Sequence, residues 1–281
     1  MSLLPGFISR KLPASVRVLG RSYFPAAAAD FWDGLRGRPR EVMIPPRRLN
    51  IAGPGDFRKV GTRWVETMRL TAGLTKTARV LDIGCGIGRI AVGLTDYLSS
   101  PGSYRGFDVI PFATEWCRKE ISSRFPKFAF DHVDVHNDSY NPNGRMSPTD
   151  FRFPYPDGEF DFIIATSLFT HLLPESVERY LSEIARVGRP RAKVFSTWYL
   201  QGDQLPLTPA SRLRFPADRG DYALASERTP TAAVRYSMKW VSMEMSRWGL
   251  ALDGVVPGAW RGVDGRHSQD LVLASVLADV T

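Results

Sequence analysis

Three glycines at alternate positions form the chemically most informative feature of the chain. Gly84, Gly86 and Gly88 follow an apolar stretch that ends at Ile83, and a helical pattern of apolar residues begins at Ile90. Because glycine has no Cβ, such a loop turns sharply and lets the backbone approach a ligand closely. A buried strand, a glycine loop and a helix in this order are typical of a βα turn that binds a nucleotide.

Carboxylates and imidazoles near predicted strand ends add further chemistry. The carboxylate of Asp108 can accept hydrogen bonds from both hydroxyls of a ribose. His171 follows another predicted strand and His136 ends a third one, and an imidazole there can take a proton from an attacking hydroxyl. Asp134, His136 and Asp138 alternate along one face, which is an alternative pattern for a divalent ion. No second acidic cluster accompanies them, so we predict no metal site.

The periodicity around these residues predicts the elements that must position them. Val80, Leu81 and Ile83 are typical of a strand that is buried on both faces of a parallel sheet. Strands and helical patterns alternate along the chain, which favours an α/β fold. The predicted strands of the core are, in chain order, residues 80–83, 104–109, 128–136, 159–167, 194–198, 250–256 and 269–276.

The string Asp82-Ile83-Gly84-Cys85-Gly86-Ile87-Gly88 resembles motif I of class I S-adenosylmethionine (SAM)-dependent methyltransferases. The dinucleotide fingerprint would instead place its third glycine at Arg89. Residues 53–61 and 160–172 resemble segments of a bacterial subgroup that is associated with secondary metabolites and sugar-bearing lipids. The resemblance implies a Rossmann-like, seven-stranded and mostly parallel sheet, with helices on both faces and an antiparallel final strand.

The resemblance also implies a cofactor, SAM, and its demethylated product S-adenosylhomocysteine. In the family the glycine loop wraps the methionine end of SAM, a carboxylate at Asp108 binds the ribose, and one at Asp134 binds the adenine amino group. Phe57 and Gly61 stand where the subgroup closes over the cofactor. The predicted cofactor-binding residues are Asp82, Gly84, Cys85, Gly86, Gly88, Asp108, Val109, Asp134, Val135 and Ser167.

The implied reaction is transfer of a methyl group to a small molecule. We predict O-methylation of a glycosyl or phenolic hydroxyl, with His171 as the general base and His136 as the next candidate. A competing hypothesis is that His171 only holds the strand-to-helix turn through a backbone hydrogen bond. The alternatives for the activity are N-methylation of a small amine, modification of RNA, and SAM binding without methyl transfer.

Composition narrows the class of partner. The net charge is +8, but the arginines that carry most of the positive charge are scattered and form no aromatic-interleaved stripe, so a nucleic acid is not favoured. Two cysteines give no disulfide framework, which suits a reducing compartment. No apolar run approaches a membrane span, so we predict a cytoplasmic protein.

The chain divides into two predicted regions. Residues 1–52 form an N-terminal extension that acts as a cover, a peripheral membrane contact or a homodimer arm. Residues 53–281 form the methyltransferase domain, with an inserted cover at 201–237 and a long loop at 137–158. Such loops at the carboxyl edge of an α/β sheet favour a binding function. We therefore expect them to select the acceptor, glycosylated or lipid-linked acceptors included.

Overall fold

The computed structural model describes residues 23–37, 40–202, 205, 207–211 and 213–278. Its strands, numbered in chain order, are β1 (Arg79–Ile83), β2 (Ser103–Asp108), β3 (Phe128–His132), β4 (Phe160–Ala165), β5 (Gly188–Trp198), β6 (Leu200–Gln201), β7 (Ala217–Asp218), β8 (Tyr222–Leu224), β9 (Val234–Ser237), β10 (Leu250–Val256) and β11 (Asp270–Val276). The α-helices are α1 (Tyr23–Leu35), α2 (Phe57–Ala72), α3 (Arg89–Thr95), α4 (Pro111–Cys117), α5 (Pro174–Val187) and α6 (Met238–Arg247).

Seven of these strands form the main sheet, in the order β10-β11-β5-β4-β1-β2-β3. Strands β1 to β5 pair in parallel, and β11 runs antiparallel to both β5 and β10. The predicted Rossmann-like sheet with its antiparallel strand is therefore confirmed. The order reverses at β1, between β4 and β2, and this is where open α/β sheets bind ligands at the carboxyl ends of their strands.

Two apolar clusters cover the two faces of the sheet. Leu81 of β1 belongs to the cluster that α5 and α6 complete, whereas its neighbour Val80 belongs to the cluster that α2, α3 and α4 complete. In the same way, Ile163 and Ile164 of β4 point to opposite faces, as alternate residues of a strand must. Burying one such side chain contributes about 1.5–3 kcal/mol to stability. Packing on both faces therefore stabilises the central strands, where the strand order reverses.

Helices α2 and α3 cross at two glycines. A Cβ built on Gly61 would lie within 2.3 Å of the backbone oxygen of Arg89, and one on Gly93 within 2.6 Å of the carbonyl carbon of Gly61. Gly61 therefore lets α2 pack directly on the helix that follows the glycine loop. Phe57, also predicted beside the cofactor, is buried under the guanidinium of Arg89 at 5.7 Å.

Replacing Gly61 with alanine should lower the free energy of unfolding by about 1–3 kcal/mol, because a methyl group overpacks a backbone crossing that cannot relax. Gly34, a residue of α1 with no atom within 4 Å of a built Cβ and no positive φ, provides the control for replacing a helical glycine with alanine. Urea denaturation of both alanine variants measures the difference. Equal loss of stability in the two variants would contradict this account of the crossing.

The inserted segment is more regular than its sequence suggests. Strands β6 to β9 form a second sheet in the order β6-β9-β8-β7, although residues 201–237 show little periodicity. Arg261 links this segment to the core. Its Nη1 and Nη2 donate to the carbonyl oxygens of Leu205 and Leu200, and its guanidinium forms a bidentate ion pair with Asp270. The second sheet is therefore held firmly at the rim of the main one.

Two predicted element boundaries were wrong. The third strand ends at His132, four residues before the predicted end, so Asp134 and His136 lie in the connection that follows. The fifth strand begins at Gly188, six residues early. Arg191 within it takes a left-handed conformation with φ 69°, which is uncommon for a residue other than glycine.

The described part of the N-terminal extension begins with α1, whose residues are all at least partly exposed. The chain then returns to the core, where Met43 is buried. Residues 1–22 of the predicted N-terminal extension lie outside the described residues. Within the described ranges, no helix combines the length and the hydropathy that crossing a bilayer requires.

Candidate active site

A cavity of about 430 Å³ opens at the carboxyl ends of β1, β2 and β4. Most of the residues predicted from the sequence lie together on its wall. They are Asp82, Gly84, Cys85, Gly86, Asp108, Val109, Val135, His136, Ser167 and His171. Gly88 and Asp134 do not line this cavity.

Asp108 ties the glycine loop to the end of β2. The backbone N–H of Gly86 donates to its Oδ2 at 2.7 Å, and the N–H of Ile110 donates to its Oδ1 at 2.9 Å. Burial raises the pKa of this carboxyl, and the backbone N–H groups oppose that shift. Each carboxylate oxygen can accept more than one hydrogen bond, so Asp108 can hold the loop and still accept from ribose hydroxyls.

The glycines of the loop have different tasks. Gly86 has φ 54°, and the nearest atom to a Cβ built on it is Ile51 Cδ1 at 4.0 Å. At this position on the cavity wall, a side chain would therefore fill space that a ligand needs. A Cβ on Gly88 would instead lie within 2.8 Å of Ile121 Cδ1 and 2.9 Å of Cys117 Sγ. Gly88 thus permits close packing beneath the loop.

Asp82 brings an unpartnered carboxylate oxygen to the cavity. The hydroxyl of Tyr104 donates to its Oδ2 at 2.7 Å, while its buried Oδ1 has no hydrogen-bond partner. Burial raises the pKa of Asp82 to about 7, against the opposing effect of the Tyr104 hydrogen bond. A buried, unpaired acceptor favours a cationic or hydrogen-donating ligand. The ammonium and sulfonium groups of SAM fit this requirement.

The raised pKa of Asp82 makes stability depend on pH. Because the folded-state pKa of about 7 exceeds the ordinary value of 3.8, the native state binds this proton more tightly than the unfolded state. The corresponding stabilisation is complete below pH 4 and is lost as the pH rises through 7. Asp82→Asn should lack this loss and should exceed the native protein in stability at pH 8 by on the order of 4 kcal/mol.

Denaturation of the ligand-free proteins at a series of pH values between 4 and 8 measures this difference. The other buried carboxylates titrate in both proteins, so the difference in the free energy of unfolding between native protein and variant reports on Asp82 alone. A difference that does not change over this pH range would contradict the assigned pKa shift.

Asp134 does not line the cavity and is paired with residues of the loop that follows β3. Its Oδ2 accepts from Arg145 Nε at 2.6 Å, and its Oδ1 accepts from Asn141 Nδ2 at 3.3 Å. These hydrogen bonds lower the pKa of Asp134, that with Arg145 most strongly. The neighbouring Val135 is buried on the cavity wall. The structure therefore brings Val135, but not Asp134, to the cavity, and the adenine-binding role of Asp134 stays a prediction.

His171 lies on the cavity wall, and its ring contacts the inserted segment. Its Nδ1 lies 2.9 Å from the carbonyl oxygen of Thr231 in the inserted segment. Since a carbonyl only accepts, Nδ1 carries the proton and Nε2 keeps its lone pair. Burial lowers the pKa of His171, although backbone hydrogen bonds oppose this, so the ring is neutral at pH 7. The imidazole thus contacts the cover rather than its own turn.

His136 and Ser167 occupy more open positions on the wall. His136 is exposed, with Nε2 3.8 Å from Asp138 Oδ1. Ser167 has φ 53° and donates from its hydroxyl to Gln269 Oε1 at 3.1 Å. No group of three or more His, Cys, Asp and Glu side chains in the described part of the chain could hold a metal ion.

The sequence missed several residues on the wall: Ile51, Trp64, Arg89, Asn137, Tyr140 and Tyr180. Arg89 donates to the carbonyl oxygens of Gly53 and Pro54 at 3.3 Å each, which ties the irregular segment before α2 to the end of the glycine loop. Trp64 stacks on His267 with ring centroids 4.5 Å apart. Because Arg89 directly follows the last glycine of the loop, its place on the cavity wall could have been predicted from the sequence. The contact between Trp64 and His267 could not, because these residues are far apart in the chain.

Comparisons with known proteins match the part of the chain that runs from β1 through β5. Residues 81–196 match the model of a family described as a methyltransferase domain. An uncharacterised methyltransferase of Schizosaccharomyces pombe is 30% identical over 118 residues, which are 41% of this chain and 37% of that protein. The match therefore spans little more than a third of that relative's length.

Solved structures share the fold. A SAM-dependent methyltransferase from Methanosarcina mazei has a TM-score of 0.53 at 18% identity, covering 75% of this chain and 97% of that chain. The 1,6-didemethyltoxoflavin-N1-methyltransferase of Burkholderia thailandensis, solved with its substrate and S-adenosylhomocysteine, has a TM-score of 0.50 at 13% identity, covering 91% and 89%. At such identities the likeness establishes the fold alone.

Residues 81–196, which include the glycine loop, match the methyltransferase family model, and the solved structures share the fold of the whole sheet. SAM-dependent methyl transfer is therefore taken up as a proposal below. The more specific assignment to a bacterial small-molecule subgroup stays a prediction.

Proposed function

We propose that the protein methylates a hydroxyl group of a small molecule, with SAM as the methyl donor. The observation that carries this proposal is the position of His171, a neutral imidazole on the wall of the cavity that the glycine loop also lines. SAM, when bound, supplies an activated methyl group on a sulfonium. The residues of this chain then have to position the acceptor and remove its proton.

The cavity wall supplies groups for holding the cofactor. Asp108 accepts from the ribose hydroxyls, and the bare backbone at Gly84 and Gly86 gives room for the methionine end. The unpaired Oδ1 of Asp82 favours positive charge in the cavity. Asp134 can reach the adenine amino group if it exchanges Arg145 for that donor. Each of these roles is part of the proposal.

The acceptor that we favour carries a glycosyl or phenolic hydroxyl. Trp64 and Tyr140 present aromatic rings to the cavity, and such rings pack on the apolar faces of sugars and phenols. Nε2 of His171 accepts the hydroxyl proton while Nδ1 stays bonded to Thr231. An N-methyltransferase of a small amine is the second candidate, since the Burkholderia thailandensis protein of similar fold is an N-methyltransferase. A lipid-linked acceptor and a homodimer remain proposals.

Formation of S-adenosylhomocysteine from labelled SAM, measured against a panel of acceptors, tests the proposal. Sugars and phenols with free hydroxyls should stimulate product formation, whereas their O-methylated forms should not. Stimulation by amines alone would replace the O-methyltransferase assignment with the N-methyltransferase one. Binding of S-adenosylhomocysteine without turnover of any acceptor would favour a SAM-binding protein that transfers no methyl group, and a salt-sensitive RNA complex would favour RNA modification.

A further inference from the structure

Helix α1 presents an apolar face to solvent. Phe24, Phe31 and Leu35 are 69%, 62% and 63% exposed, and their spacing of seven and four residues places them on one side of the helix. Trp32, beside them, is 55% exposed. Within the described residues, Phe24 is the most exposed large hydrophobic side chain. We call these four residues the α1 apolar face.

The opposite side of α1 fixes this orientation. Asp30 accepts hydrogen bonds from the backbone N–H groups of Arg47 and Arg48 and pairs with the guanidinium of Arg48 at 3.2 Å. Asp33 pairs with the guanidinium of Arg47 at 2.6 Å. The helix is thus held to the protein by its acidic side, so its aromatic residues are directed away from the core.

Positive charge is concentrated in the same part of the chain. Residues 1–48 contain nine Lys and Arg and three Asp and Glu, a net charge of +6 (9 − 3) out of the total of +8. Arg36 and Arg40 are exposed, and no ion pair joins either of them to a carboxylate of the described residues. An apolar face flanked by free guanidinium groups combines the two attractions that hold a helix on an anionic lipid surface.

This charge distribution argues against other occupants. A second copy docked on this face would bring the exposed Arg36 and Arg40 of the two copies together, and like charges oppose association. A nucleic acid would pair with the arginines but would leave Phe24 and Leu35 in water. We therefore propose that α1 docks on the surface of an anionic lipid bilayer, with its apolar face among the acyl chains and Arg36 and Arg40 at the head groups. The proposal does not depend on methyl transfer.

Co-sedimentation of the full-length protein with lipid vesicles tests the proposal. The protein should bind vesicles of phosphatidylcholine mixed with phosphatidylserine, bind pure phosphatidylcholine much less, and dissociate as salt is added. Phe31→Ser combined with Leu35→Ser should weaken binding at least about tenfold. Arg36→Gln and Arg40→Gln should each weaken it roughly fivefold. Met243→Ser, a control at a 54% exposed position of α6, should bind like the native protein.

A spectroscopic readout locates the contact. Phosphatidylserine vesicles with brominated acyl chains should quench part of the tryptophan emission of the native protein, and Trp32→Phe should remove that quenching. Since α1 has no buried residue, all variants should keep the native melting temperature. Equal binding to neutral and anionic vesicles, or native binding by the Phe31→Ser/Leu35→Ser protein, would overturn the proposal. So would a dimer in solution that this double variant dissociates, because the face would then belong to a second copy.

Discussion

Replacing Arg261 with methionine is expected to lower the free energy of unfolding by about 3–5 kcal/mol, the usual effect of breaking a buried ion pair. Arg261 and Asp270 are both almost completely buried, and the pair closes through Nε–Oδ1 and Nη2–Oδ2 contacts of 2.7 Å each. The substitution would leave the Asp270 charge without a counter-ion. It would also leave the carbonyl oxygens of Leu200 and Leu205 without their donor.

The matched control is Arg266→Met, at an exposed arginine of the same connection. Urea denaturation should show a change of at most about 0.5 kcal/mol for this surface substitution. The inserted segment should also become more susceptible to proteolysis in the Arg261→Met protein, because Arg261 links β11 to residues 200–205. If both variants lose the same stability, the buried pair does not hold the second sheet.

Replacing His171 with glutamine should reduce turnover by about 10²–10⁴-fold while leaving SAM affinity unchanged, since this is the usual scale of general base catalysis. The amide of glutamine can still donate to the carbonyl oxygen of Thr231 but has no basic nitrogen. We therefore expect the fold to be retained. Some activity should return at high pH, where acceptor hydroxyls ionise unaided.

The pH profile of the native enzyme adds a second test of the same residue. Because burial lowers the pKa of His171, its basic form predominates at neutral pH, and the rise of activity with pH should lie below the ordinary value of 6.5. His136→Gln, on the exposed part of the wall, is the control and should retain turnover. Near-native turnover by the His171→Gln protein would exclude it as the base and direct attention to His136.

The core of the fold was predictable because its signals are local. The apolar strand before Gly84, the alternate glycines and the helix after them each follow from neighbouring residues. The parallel order of the sheet then places Asp108 and His171 at the same edge as the loop. The seven strands and ten of the residues that line the cavity could therefore be predicted from the sequence.

The features that were missed depend on contacts between distant residues. Strands β6 to β9 are two to four residues long, too short to show a period. Asp134 pairs with Arg145 eleven positions later, and nothing in the local pattern distinguishes this ion pair from an open carboxylate. Arg261 and Asp270 have the residue types of a surface, and only tertiary structure buries them.

Binding of S-adenosylhomocysteine by isothermal titration calorimetry tests the central claim, that the glycine loop and Asp108 hold the cofactor. The native protein should bind it, and Gly86→Val should abolish binding, because the added side chain fills the cavity space in front of the loop. Gly158→Val is the matched control: φ there is 60°, similar to the 54° of Gly86, and no atom lies within 4 Å of a built Cβ.

Both variants therefore carry the same backbone strain, but only Gly86 lies on the cavity wall. We predict that the Gly158→Val protein binds S-adenosylhomocysteine with native affinity and that the folded Gly86→Val protein does not bind it. A folded Gly86→Val protein that binds S-adenosylhomocysteine as tightly as the native protein would contradict the assignment of this cavity to the cofactor.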